Sequence, residues 1–359
     1  MPLDAEQRSA RRDRTSRSPL RGPSKVVALI LALLAVIAVL LAHRAGSGRQ
    51  RRATGTRSRT VPTQGVPQHF TVTDLPLRLP EALQDLAAAP LARERAALLG
   101  GLSATDTSTD TVHIVDTHGV VERTTLPEAQ HDAGAATLHG RVYVFGGGEV
   151  ASYSHILSYD PSSNSVSRSG SLPTPTSDAA VAAIGDTAYI VGGYTGSEAL
   201  DTIVAWRPGG RARIVGRLPF ALRYAAVAAS DGALVIAGGS RGEAASRTIF
   251  GYDPTSGRVR RIGALPKPLT HAAAAAFGHY VYLLGGRGSV SNSQTAAILA
   301  IDPSTGRVSH VGHLPQRLSD AAAIRVGRHA WLIGGLSRTG PLATVLQLTP
   351  TSPVKGAIG

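Results

Sequence analysis

The sequence predicts an all-β protein, a closed ring of six four-stranded blades. Three features recurring with one period predict it. Gly-Gly pairs end short apolar runs at Gly100-Gly101, Gly146-Gly147, Gly192-Gly193, Gly238-Gly239, Gly285-Gly286 and Gly334-Gly335, spaced by 46, 46, 46, 47 and 49 residues. Leu-Pro pairs with prolines at Pro80, Pro127, Pro173, Pro219, Pro266 and Pro315 step by 47, 46, 46, 47 and 49. A turn marker keeps the same step at Asp160-Pro161, Arg207-Pro208, Asp253-Pro254, Asp302-Pro303 and Thr349-Pro350. Short strands at this period, with turn signals between them, are the mark of a β-propeller.

The first 68 residues stand apart from the repeats. Residues 1–25 are basic and lack apolar periodicity. Val26 to Ala42 is an unbroken apolar run, which as a helix spans about 25 Å, the short end for a bilayer. Arginine on both sides argues against a buried core helix. Poor small-residue positions after the run argue against a cleaved signal peptide. The expectation is one uncleaved transmembrane signal anchor at 26–42, with the N-terminus cytoplasmic and the body extracytoplasmic. Basic residues flank the run almost evenly, so the positive-inside rule scarcely distinguishes the orientations. Residues 43–68, rich in Arg, Gly, Ser and Thr, read as a disordered tether reaching about 30 Å.

The charge belongs to this flank. The whole chain is +13, but residues 1–60 hold 13 of the 37 basic residues and three of the 24 acids, so the remainder is only +3. That excludes a basic nucleic-acid-binding surface as the reading of the body. The absence of cysteine excludes disulfide scaffolds, Cys-ligated zinc, iron–sulfur clusters and thiol catalysis.

Residues 69–359 hold the six units, and the fifth shows how each is built. His271 to Phe277 is small and apolar, suited to a crowded inner strand. Tyr280 to Leu284 is a second strand ending in Gly285-Gly286, and Ala296 to Ile301 a third. Asp302 to Gly306 is a tight turn. Arg307 to His313 is the outer strand, and Leu314-Pro315 closes the unit, because Pro cannot donate to a ladder. The last unit has a third strand, Ala343 to Leu348, but a poor fourth at Pro353 to Gly359. Phe70 to Leu75, before the first Leu-Pro, looks like an unattached outer strand. It is expected to pair into the last blade and close the ring, which removes the open edge.

An apolar strand ending in Gly-Gly, followed by Tyr159-Asp160-Pro161 or Tyr252-Asp253-Pro254, resembles the Kelch repeat. The likeness covers about residues 70–350 and is to galactose-oxidase-like central domains, here in a membrane-anchored, bacterial type of chain. It implies a six-bladed Kelch-type β-propeller. The Trp usual in the outer strand is replaced by Val166, Ile214, Val259 and Val308, and the first unit is degenerate at Arg93-Glu94-Arg95. Galactose-oxidase chemistry needs a copper site with a Cys-modified Tyr, which this cysteine-free chain cannot make.

Candidate chemistry lies where each Leu-Pro loop enters the next inner strand. Asp85, Asp132, Asp178 and Asp320 fill one slot in four units and read as structural loop acids accepting backbone N–H groups. Tyr224 and His271 break the pattern in adjacent units, with Arg223 beside Tyr224. Together with His131, and with Glu149, Arg241, Glu243 and Arg287 from the loops after Gly-Gly, they form the candidate binding set. An arginine fork, an amphipathic ring and an imidazole suit a carboxylate or a sugar. His310 and His313, three apart on one strand, should point to opposite faces and share no metal.

These features favour a membrane-tethered, non-catalytic propeller that binds a protein or an envelope glycan. It would be monomeric, without cofactor, metal or catalytic residues, and would bind no nucleic acid. A carbohydrate-active enzyme of the sialic-acid-mutarotase kind is one alternative, with Glu149, Glu243 and His271 as its acid–base candidates. A structural cell-envelope component is the other.

Overall fold

The computed structural model describes residues 66–351. The expected basic segment 1–25, the anchor 26–42, all but the end of the tether 43–68 and the stretch Pro353 to Gly359 lie outside the described residues. Among the described residues no helix is long and apolar enough to cross a membrane.

Six four-stranded antiparallel blades follow one another in the chain. Blade 1 comprises Ala87–Leu91, Arg95–Leu99, Thr109–Val115 and Val120–Gln130, so the degenerate first unit still folds as a blade. Blade 2 runs from Gly134–Leu138 to Ser165–Ser171, blade 3 from Ala180–Ile184 to Arg213–Arg217, and blade 4 from Ala226–Ser230 to Arg258–Ala264. Blade 5 has Ala273–Phe277, Tyr280–Leu284, Thr295–Ile301 and Val308–Leu318. Blade 6 has Ala322–Val326, His329–Ile333 and Gly340–Pro350, and its outer strand is Phe70–Gln84 from the other end of the chain. Phe70 opposes Pro350 and Val72 opposes Leu348, so the N-terminal strand closes the ring as the sequence implies.

The apolar residues sort into six clusters, one in each seam between adjacent blades. The seam between blades 6 and 1 is filled by Leu75, Leu77, Leu79 and Leu83 of the closing strand against Ala96, Leu98 and Trp331. Blades 3 and 4 meet through Ile203, Leu234, Ile236 and Tyr252. Successive side chains of a strand point to opposite faces, so each strand serves two seams at once. A ring of such seams leaves every blade covered on both sides, which an open array cannot do.

The Gly-Gly pairs lie where two blade segments touch end to end. Gly286 N–H donates to the Leu318 carbonyl (2.9 Å), and a side chain on Gly285 would overlap that same oxygen. Both residues have positive φ, 65° and 94°, which glycine adopts without penalty.

Two expectations need correction. Leu-Pro does not always end the outer strand: the strands over Phe70–Gln84, Val120–Gln130 and Val308–Leu318 continue past Pro80, Pro127 and Pro315. An outer strand exposes one edge, so the missing proline N–H breaks no ladder there. His310 and His313 do not diverge either. His310 opposes Leu299, Gly312 opposes Ile298 and His313 opposes Ala297, with Val311 inserted as a bulge. The extra residue restores both histidines to one face, and their ring centroids are 4.4 Å apart.

The same insertion occurs in blades 2, 3 and 4, where the register slips before Gly170, Gly216 and Gly263. Each of these glycines, like Gly312, stands two residues before its Leu-Pro leucine. A Cβ on Gly216 would come within 2.9 Å of the Tyr252 ring in the next blade, which explains the glycine.

Candidate functional site

The slot read in the sequence as Asp, Tyr or His forms a ring around the channel mouth. Asp85, Asp132, Asp178, Tyr224, His271 and Asp320 all have positive φ, between 52° and 59°. Each N–H donates to the carbonyl of the equivalent residue in the preceding blade. Asp132 donates to Asp85 and Asp178 to Asp132 (both 3.0 Å), and Tyr224 to Asp178 (2.9 Å). His271 donates to Tyr224 (3.2 Å), Asp320 to His271 (3.0 Å) and Asp85 to Asp320 (2.9 Å), which closes a circle of six bonds. The backbone of this slot therefore shapes the mouth, whereas the sequence reading gave that work to the aspartate carboxylates. Aspartate and histidine tolerate the left-handed region better than most residues, which accounts for five of the six positions.

The side chains of the ring face a shallow cavity of about 130 Å³. Burial pushes the Asp85 and Asp132 carboxyls well above their usual range, and the neighbouring carboxylates push further in the same direction. Burial also raises Asp320, although Ser319 and Arg287 oppose the shift.

Blades 3 to 5 carry a different chemistry. Arg223 Nε donates to the buried Asp178 carboxylate. Its guanidinium lies over the Tyr194 ring at 4.0 Å and near the Tyr224 ring at 5.1 Å. Burial would lower the Arg223 pKa, but Asp178 outweighs it and the group is held above its usual value. Tyr224 Oη donates to Asp132 Oδ2 (3.2 Å), and burial followed by the surrounding carboxylates raises its pKa far up.

His271 stacks on Tyr224 with centroids 3.7 Å apart and planes 23° apart. Arg287 Nη2 donates to its Nε2 (3.0 Å), because arginine has no acceptor to offer. Nδ1 then carries the proton and donates to Thr270 Oγ1 (2.9 Å). Burial, then Arg287 and Arg223, lower the His271 pKa to about 2. The imidazole is neutral and fully engaged.

A second cleft, of about 240 Å³, opens beside the mouth across blades 2 to 4. It is lined by His131, Glu149, Ser152, Tyr194, Arg223 and Tyr224, among others. His131 is held by Ser108 Oγ (2.8 Å), and burial lowers its pKa. Ser152 Oγ lies 3.0 Å from Ser177 Oγ. Of the candidate binding set, the structure brings together His131, Glu149, Arg223 and Tyr224 here, with His271 and Arg287 on the adjoining side of the ring. Arg241 instead covers the Phe220 ring (4.8 Å), and neither it nor Glu243 lines the two cavities. Sequence reasoning missed Ser152 and Ser177. Ser177 precedes Asp178 in the repeated slot, so its place was readable, but the approach of Ser152 depends on how the loop after Gly146-Gly147 folds back.

The sequence matches the KLHDC2/KLHL20/DRC7 Kelch-repeats domain over residues 88–286. No curated protein matches it in sequence. Among solved structures 1113 chains match, so the likeness in shape is too widely shared to point to one activity. One of them, described as "Structure of YjhT", covers 77% of this chain and 99% of its own, with a TM-score of 0.64 and 14% identity. At that identity the resemblance is one of fold.

Proposed function

This chain belongs to the KLHDC2/KLHL20/DRC7 Kelch-repeats domain family, and on that premise we propose that it is a non-catalytic binding propeller. It takes a protein or an envelope glycan at the cleft of His131, Glu149, Tyr194, Arg223 and Tyr224. The segment 26–42 holds it to a membrane as a single anchor, with the propeller extracytoplasmic.

The observation that carries this reading is the state of His271 and Tyr224, two of the six channel-mouth side chains. A general acid or base works best with a pKa near the operating pH and a free proton site. His271 is held neutral, with a pKa of about 2 and both ring nitrogens engaged. Tyr224 is raised out of reach and hydrogen-bonded to Asp132. Groups fixed in this way support recognition by a preorganised surface rather than proton transfer. Beside them the cleft offers an aromatic face, hydroxyls and charges of both signs, the mixture that a polar loop or a sugar requires.

The test uses a panel of envelope glycans and purified surface proteins. Tyr194→Ala and Glu149→Ala should each weaken a bound partner at least tenfold without changing the melting temperature. Binding unaffected by both would place recognition elsewhere. Turnover of any sugar by the wild type that is lost in His271→Ala would overturn the non-catalytic reading. Because the chain lacks cysteine, a single Cys at Thr63 tests topology. Labelling by an impermeant maleimide in intact cells is expected, and protection until lysis would place the propeller inside.

A further inference from the structure

We propose that His310 and His313 form a two-imidazole chelate for a tetragonal divalent transition ion, Ni(II) or Cu(II), on the outer strand of blade 5. The site is independent of the channel mouth and of the binding function assigned to it.

The backbone builds the pair. On a regular strand, residues three apart point to opposite faces. The bulge at Val311 cancels that divergence, so His310 and His313 stand over Leu299 and Ala297 on one face of the blade. Both sides of the bulge are anchored. The Val311 side chain is 4% exposed in the seam between blades 5 and 6. Its carbonyl accepts a hydrogen bond (2.7 Å) from Nδ1 of His69, which immediately precedes the closing strand. Gly312, with φ of 157°, carries the chain through the bulge. The backbone that carries the two rings on one face is therefore held by structure that does not depend on a ligand.

The spacing selects the geometry. A metal about 2.0–2.1 Å from an imidazole nitrogen is about 3.2 Å from the ring centroid. Two such rings at a right angle have centroids about 4.5 Å apart, and at the tetrahedral angle about 5.2 Å. The observed 4.4 Å is the spacing that a right-angled pair would have once a nitrogen of each ring is turned to the same ion. Tetragonal nitrogen sites suit Cu(II) and Ni(II), while Zn(II) prefers the wider angle.

The chemistry is also available. Both rings are exposed, and among the described residues neither makes a hydrogen bond or an ion pair. Other histidines are engaged: His279 by Asp231 and Asp302, His131 by Ser108, His329 by Thr349. Among the described residues no group of three or more His, Asp or Glu is placed to hold a metal. The site is thus a two-donor chelate, with its other positions open to water.

The test titrates full-length protein with NiCl₂ by calorimetry at neutral pH. One ion per chain is expected. His310→Gln and His313→Gln should each weaken it at least tenfold, with His118→Gln as a control that leaves it unchanged. Both rings are exposed and unpartnered, so the melting temperature without metal should not move. With CuCl₂, electron paramagnetic resonance should show two equatorial imidazole nitrogens, and one in each single variant. A wild type that binds Ni(II) no better than the double variant would overturn the site. So would nitrogen couplings that survive both substitutions, or one ion shared by two chains with dimer formation.

Discussion

His271 and His279 stand at opposite ends of one inner strand of blade 5, and their surroundings drive them in opposite directions. His271, at the channel mouth, is buried among Arg287 and Arg223 and is held neutral, with a pKa of about 2. His279 turns the hairpin on the opposite face. Its Nε2 is 3.0 Å from Asp302 Oδ1, and its Nδ1 contacts Asp231 of blade 4. Burial would lower its pKa, but the two carboxylates outweigh burial and raise it. The same contrast separates the two faces of the ring. At the channel mouth, blades are joined through a backbone circle of six carbonyls, with the Arg223–Asp178 pair added between blades 4 and 3. Each glycine pair ties its blade to the end of its own outer strand or the loop after it. On the other face they carry side-chain pairs at the turns, such as Arg141 with Asp160 (2.7 Å) and Arg207 with Asp186 (3.4 Å). A backbone join does not depend on pH, so titratable residues can be mounted on it without endangering closure. A charged clamp depends on pH, and it sits where solvent weakens it and little is at stake.

Four substitutions test that contrast, from the largest expected effect to the smallest. Gly285→Val breaks a backbone join and should cost about 3 kcal/mol, read as a large fall in melting temperature, because the side chain meets the Leu318 carbonyl. A loss under about 0.5 kcal/mol would show that the glycine pairs are dispensable. Asp178→Ala leaves the Arg223 guanidinium half-buried without its carboxylate, at a cost of about 2 kcal/mol in chemical denaturation. Asp85→Asn removes a carboxyl whose pKa burial has raised. Such a group stabilises the fold below its ordinary value of 3.8 and loses that contribution as pH rises through the folded value. At pH 7 the variant should therefore be more stable than wild type by about 1 kcal/mol, or a few degrees. A variant less stable at pH 7 would mean that the carboxylate is ionised and needed there.

The smallest effect belongs to His279→Gln, about 0.5 kcal/mol. Its raised pKa makes the clamp fully effective below the unfolded value of 6.5 and weaker as pH rises through the folded value. The difference from wild type should be present at pH 6 and fade above that window. His271 has the reverse sign. Its lowered pKa favours the fold above 6.5, an advantage lost as pH falls toward about 2. A His279 difference that grows with pH would break the comparison.

The amino-acid sequence by itself determined the number of blades, their period and their closure. Tyr280–Leu284 is read with its observed limits, and the closing strand at Phe70 follows from the missing outer strand of blade 6. These follow from local rules repeated along the chain: alternation, turn chemistry and glycine where the backbone must be left-handed. The glycine two residues before each of four Leu-Pro leucines was legible too, but at Gly216 and Gly263 its meaning needed the neighbouring blade that crowds it. The channel-mouth slot was visible as Asp, Tyr or His, whereas its circle of hydrogen bonds was not. Only the tertiary structure decided that His271 is neutral, that Arg223 is locked between Asp178 and Tyr194, and that His310 and His313 share a face. Each depends on residues that ring closure brings from other blades, or on a single inserted residue that reverses which way a strand points. Charge, burial and facing are properties of the assembled neighbourhood, and a period in sequence fixes only the neighbourhood's frame.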